Sequence, residues 1–170
     1  MNVPTAVKKR EIRVILDTNI LQYLNCSAFL EDLLGYLDSF VDFGKTLKVS
    51  EISILEILSG CTSRQEEEVF DILARFPKQP ISEEVLITAG RLQNIYRAYG
   101  IEEGRISLAD RIIASTAFVT SSDIVTSDVN DFPRPVFKES HEELFFYRRK
   151  NKTHVQVVQV LSPNFDLMVD

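Results

Sequence analysis

The stretch Val14-Ile15-Leu16-Asp17-Thr18-Asn19-Ile20-Leu21 constrains the chain more than any other. An unbroken β-branched and apolar run stops at Asp-Thr-Asn, and apolar residues then resume at helical spacing. A strand buried on both faces reads as such a run. The pattern therefore predicts a parallel strand over 12–17 that ends in a carboxylate and feeds a helix at once. Open α/β sheets place their chemistry at strand C-terminal ends. Asp17 or Thr18 also suits the cap of that helix, so the rest of the chain has to decide between cap and chemistry.

Downstream, Leu30, Leu33, Leu34, Leu37 and Val41 share one face of a helix over 27–43. A short strand at 47–50 precedes a helix that opens at Ser50 or Ser53 and closes at Gly60, a residue suited to a left-handed helix end. Ser63-Arg64-Gln65-Glu66 reads as a capping box for a helix running to Phe76 and stopped by Pro77. After a brief strand within 78–81, Ser82-Glu83-Glu84 opens a helix reaching Tyr99 and ending at Gly100, with its acids in the favourable first turn. Ser107-Leu108-Ala109-Asp110 starts another helix. The strand at 124–126 then ends in a second acidic cluster, Ser127-Asp128-Val129-Asn130-Asp131-Phe132.

Residues 135–138 suit a last parallel strand. Segments 144–147 and 155–161, separated by the polar Arg149-Lys150-Asn151-Lys152, read as an antiparallel hairpin. Strands alternating with helices predict a three-layer α/β/α sandwich around a mostly parallel sheet. The organisation is a polar N-terminal arm over 1–10, one domain over 11–138 and a C-terminal extension over 139–170, packed on that domain as a hairpin. A chain of 170 residues with 45% hydrophobic content fits a single core.

A net charge of −6 argues against a protein that coats nucleic acid through bulk positive charge. It is compatible with acids gathered on a metal and a local basic rim. Cys26 and Cys61 have no His or Cys at metal-ligand spacing and read as reduced core thiols. No apolar run approaches the roughly 18 residues of a membrane helix. Lys8, Lys9 and Arg10 precede no signal-peptide core. The expectation is a cytoplasmic protein with no membrane contact.

Four carboxylate positions stand out: Asp17, Glu56, Asp110, and Asp128 or Asp131. Each also fits an ordinary role, since Glu56 is spaced for a capping box with Ser53, Asp110 for one with Ser107, and Asp128 and Asp131 for a turn before Pro133. Their surroundings weigh against those roles. Glu56 sits among Ile54, Leu55, Ile57 and Leu58, and Asp110 among Leu108, Ile112, Ile113 and Ala114. A lone carboxylate buried in such company costs several kcal/mol unless paired, protonated or bound to a cation. Strand ends would bring the four acids to one rim of the sheet, where a hard cation relieves their repulsion. Oxygen-only ligation suits Mg²⁺ or Mn²⁺.

In order and spacing these residues resemble the PIN-domain ribonucleases, especially the VapC-like toxins of bacterial toxin–antitoxin pairs. The elements are Leu16-Asp17-Thr18-Asn19, Ser50-x-x-Ser53-x-x-Glu56 followed by Gly60, Ile106-x-x-x-Asp110-Arg111-Ile112-Ile113-Ala114, and Val125-Thr126-Ser127-Asp128 leading into Asp131-Phe132. The resemblance implies a metal-dependent endoribonuclease, often a homodimer, held in check by a small antitoxin. It marks Asp17, Glu56, Asp110 and Asp128 as catalytic, metal-binding acids, with Asp131 as an additional or substitute ligand. Thr18, Asn19, Ser53 and Thr126 would orient ligands or water, Ser53 standing where Thr is common. Arg111, Arg97 and Arg105 are candidates for RNA contact, Arg111 being favoured because it adjoins Asp110. Two other classes compete. One is a catalytically silent PIN-like binding module. The other is an aspartate-nucleophile phosphatase, which wants a second acid where Asn19 stands.

Overall fold

A computed structural model describes residues 12–168, and the side chain of Cys26 lies outside what it describes. The expected arm over 1–10 also lies outside the described residues. In chain order the elements are β1 (Ile12–Leu16), α1 (Thr18–Cys26), α2 (Leu30–Asp42), β2 (Lys45–Ser50), α3 (Glu51–Ser59), α4 (Glu66–Ala74), β3 (Lys78–Gln79), α5 (Glu83–Ala98), α6 (Leu108–Thr120), β4 (Asp123–Thr126), β5 (Phe137–Arg149) and β6 (Lys152–Pro163). A short 3₁₀ turn, Phe165–Leu167, follows. They form a six-stranded mixed sheet in the order β3-β2-β1-β4-β6-β5, covered by helices on both faces.

The central strand explains the layering. Val14, Ile15 and Leu16 are fully buried, and their side chains alternate between faces. Val14 and Leu16 join a core built with α1, α2 and α4, whereas Ile15 joins one built with α5 and α6. Strand β4 repeats the pattern with Val125 on the first side and Ile124 on the second. β1 runs parallel to both β2 and β4, so the C-terminal ends of β1 and β4 open on the same rim.

Several local expectations change. The helix α4 is entered through Thr62 and Gln65 rather than the Ser63 box: the Thr62 N–H donates to Gln65 Oε1 at 3.0 Å, and the Gln65 N–H returns to the Thr62 carbonyl at 2.8 Å. Gly60 closes α3 in right-handed geometry, with φ −94°. The left-handed end belongs to Ser121, the C-cap of α6 at φ 51°. Residues 135–138 do not make a parallel strand. Phe137 and Lys138 begin β5, which pairs antiparallel with β6 through Phe137↔Pro163 and runs across the boundary between 138 and 139.

The hairpin itself is present, turned by Lys150 and Asn151 at φ 47° and 59°, the left-handed pair that a tight two-residue hairpin needs. It continues the sheet rather than resting on it. Val125 and Val160 face each other across antiparallel β4 and β6, and Phe145, Val158 and Val160 enter the same core as β1. Cys61 is a half-buried free thiol. Among the described residues no helix is long and apolar enough to cross a membrane.

Candidate metal centre

Asp17 follows directly on β1 and is the N-cap of α1. Its backbone N–H donates to the Val125 carbonyl at 3.0 Å, extending the β1–β4 ladder to the rim. Its carboxylate accepts from the Thr18 N–H on Oδ1, and from Asn19 Nδ2 and Thr126 Oγ1 on Oδ2, each at 2.7 Å. Asn19 is itself fixed, because its Oδ1 accepts from the Ser127 N–H at 3.1 Å. The first acidic loop and the last are thus laced together through Asp17, Asn19 and Thr126.

Glu56 reaches the same rim from α3. Its Oε2 accepts from Thr18 Oγ1 at 2.6 Å. The capping box with Ser53 does not form: Ser50 is the N-cap, and Ser53 is buried inside the helix with its Oγ lacking a hydrogen-bond partner. Ser53 therefore does not orient Glu56. Asp110 sits in the first turn of α6, where its N–H donates to Ser107 Oγ at 3.0 Å.

The electrostatics identify which acids face one another. The Asp17 carboxyl is only 3% exposed, and burial pushes it up to about 7, with the charges of Asp110 and Asp131 adding to the rise and the Thr126 and Thr18 hydrogen bonds opposing it. Burial also raises Glu56, against its Thr18 bond and with help from Asp110. Asp131 is pushed up to about 6 by burial first, then by Asp110, Asp128 and Glu56. Asp110 bears on all three of the others.

Asp128 bears on Asp131 but not on Asp17 or Glu56 in the same way. It is exposed, its Oδ1 is taken up by the Asn130 N–H at 3.0 Å and Asn130 Nδ2 at 2.9 Å, and its N–H donates to Thr126 Oγ1 at 3.0 Å. The sequence reading put Asp128 first in its motif. In the structure Asp128 Oδ1 is engaged in a turn with Asn130, whereas Asp131 is half-buried and bears on Asp17. No local signal separates two acids three residues apart in one loop.

The arginines divide. The Arg111 Nη1 donates to Gln93 on α5 instead of pairing with Asp110 or facing outward, and its Nε is buried with no hydrogen-bond partner. Arg97 lies 3.8 Å from Glu103. Arg105 is exposed on the wall of a cavity of about 300 Å³ that also includes Asn130 and Phe132, beside the Asp131 loop. The sequence reading did not single out Ser127, Asn130 or Gln93. They act through contacts with residues whose own roles are visible only in three dimensions.

Among the described residues no three Asp, Glu, His or Cys side chains, as oriented, stand close enough to hold an ion. The chemistry of the donor set nevertheless fits one. The donors are carboxylate oxygens only; burial is the largest influence on Asp17, Glu56 and Asp131, and the charge of Asp110 raises all three. A hard divalent cation would offset that burial and repulsion.

Comparison with known proteins agrees with this architecture. Residues 14–138 match the PIN domain family. A relative named Ribonuclease VapC10, from Mycobacterium tuberculosis, is 30% identical over 122 residues, covering 71% of this chain and 86% of that protein. Among solved structures, the promoter-DNA-bound VapBC2 complex of Rickettsia felis contains a chain that superposes with a TM-score of 0.62 at 23% identity, over 71% of this chain and 91% of that one. A chain of the DNA-bound VapBC complex of Salmonella typhimurium gives 0.61 at 17% identity, over 71% and 90%.

Proposed function

The chain belongs to the PIN-domain family, and from that membership we propose that it is a metal-dependent endoribonuclease, the toxin of a toxin–antitoxin pair. The observation that supports the reading is the rim where β1 and β4 end, at which Thr18, Asn19 and Thr126 hold the carboxylates of Asp17 and Glu56 and the charges of Asp110 and Asp131 bear on Asp17; we take Asp17, Glu56, Asp110 and Asp131 as the acids of the centre. These acids would hold Mg²⁺ or Mn²⁺, with Asp128 shaping the loop that presents Asp131. When bound, the cation supplies positive charge for the scissile phosphate and acidifies a water.

The protein's own groups do the rest. Asn19 and Thr126 lock Asp17 Oδ2, and Thr18 locks Glu56 Oε2, so both carboxylates are oriented before RNA arrives. Glu56 or Asp131 would orient the attacking water or take its proton. Arg105, exposed beside the Asp131 loop, would meet a phosphate of the substrate, while Arg111 braces α6 against α5 through Gln93. Phosphatase chemistry is disfavoured at Asn19, where a second acid would be required, because that amide is committed to Asp17 and Ser127.

The reading carries a cytoplasmic setting, a small antitoxin as partner and a homodimeric state with it. The test is cleavage of RNA by the purified chain in Mn²⁺ or Mg²⁺. Asp17→Asn keeps the acceptor that caps α1 and should reduce cleavage to the level seen with chelator, with the circular dichroism spectrum unchanged. Undiminished cleavage by that variant would refute the assignment.

A further inference from the structure

The edge of the sheet formed by β5 is long and, from Glu139 on, outside the residues that match the family. Among the described residues no strand lies beyond it, and a groove of about 610 Å³ runs between it and α2, walled by Glu31, Asp32 and Tyr36 and by residues 143–146. Natural sheets usually blunt such an edge with a bulge, a proline or a very short strand. Here the only irregularity against β6 falls at Ser140. From His141 to Arg149 the strand is in continuous register, and it exposes Leu144 (44%) and Phe146 (62%) at its centre.

We propose that this edge pairs with the same edge of a second copy of the chain, antiparallel, about a two-fold axis at Phe145. A two-fold axis normal to the sheet keeps each residue on its own face, so facing residues must be separated by an even number of positions. Centring on Phe145 sets Leu144 against Phe146 of the partner subunit and Glu142 against Arg148 of the partner subunit, each pair occurring twice. Glu143 then faces the partner's Tyr147. A shift to Leu144 as centre would put Glu142 against the partner's Phe146, and a shift to Phe146 would put Leu144 against the partner's Arg148. Only the Phe145 register matches apolar with apolar and acid with base, at separations where cross-strand pairs act directly. The self-complementary order Glu142, Leu144, Phe146, Arg148 is what makes a second copy the occupant of this edge. The pairing runs over residues 142–148, outside the residues that match the family, so it is a contact particular to this chain and stands without the nuclease assignment.

The full chain is examined by analytical ultracentrifugation across concentration. Glu142→Arg and Arg148→Glu each place two like-charge pairs at the interface, and each should weaken self-association by at least about tenfold. The double variant E142R/R148E restores complementarity and should return the wild-type constant. As a second measurement, Leu144→Cys with Phe146→Cys should oxidise to a covalent dimer whose peptide map joins 144 of one copy to 146 of the other. An association constant unmoved by the single reversals, or a double variant no stronger than the singles, overturns the proposal, as does a wild-type chain that stays monomeric. Because none of these positions lies at the metal-centre rim, RNA cleavage measured on the same samples tests the nuclease reading separately.

Discussion

On the β1 side of the sheet Val14, Ile15 and Leu16 are all buried and both neighbouring strands run parallel. On the β5 side the pairing is antiparallel, and buried Phe145 is flanked by exposed Leu144 and Phe146. Over Val14–Leu16 the central strand has no free face, so its polar chemistry appears where it stops, at Asp17, beside the end of β4 at Thr126. The antiparallel half has one dry face and one wet one. It therefore distributes its polar groups along the strand and contributes packing and an edge, but no acid to the rim. One sheet thus divides its labour by strand direction.

Perturbing each half should separate the two roles. The largest effect on folding is expected in the hairpin: Phe145→Ala removes a ring stacked on Phe29 at 5.3 Å and should cost about 3–5 kcal/mol by urea denaturation. Within the rim, Asp131→Asn should lower RNA cleavage by about a hundredfold or more and Asp128→Asn by less than about tenfold, a contrast that reversed rates would abolish. Thr126→Val deletes a donor to Asp17 and should weaken the divalent cation by about ten- to a hundredfold in titration calorimetry, leaving the melting temperature nearly unchanged.

The smallest effect concerns pH. The folded-state Asp17 carboxyl lies near 7, above its ordinary 3.8, so its favourable contribution is complete below about 4 and is lost as pH rises through 7. In chelator, the melting temperature should fall by several degrees across that window, and Asp17→Asn should flatten the fall. Added Mn²⁺ should raise the melting temperature more at pH 8 than at pH 5. A wild-type profile as flat as that of the variant would show that Asp17 is not the group responsible.

Legibility followed contiguity. β1, Asp17 and the start of α1 occupy adjacent positions, and their run of apolar residues broken by Asp-Thr-Asn could be read directly. The hairpin too was readable, from alternation and the Lys150-Asn151 turn. Its attachment to β4 was not, because Val125↔Val160 pairs residues far apart in the chain and no local pattern specifies the neighbour. The different settings of Asp128 and Asp131 were equally opaque: Asn130 folds back on Asp128 and not on Asp131, a turn contact that no local pattern specifies. Arg111 looked like a partner for Asp110 by adjacency. On a helix neighbouring residues point in different directions, and Arg111 turns toward Gln93 instead.

The place of β6 in the sheet also governs the order in which the protein can mature. Thr126, which clamps Asp17, sits on β4, and β4 has an open edge until residues 159–161 lie alongside it. Residues 159–161 follow every acid of the rim in the chain, so β4, and with it the Thr126 clamp on Asp17, gains its second neighbouring strand only after all of those acids have been made.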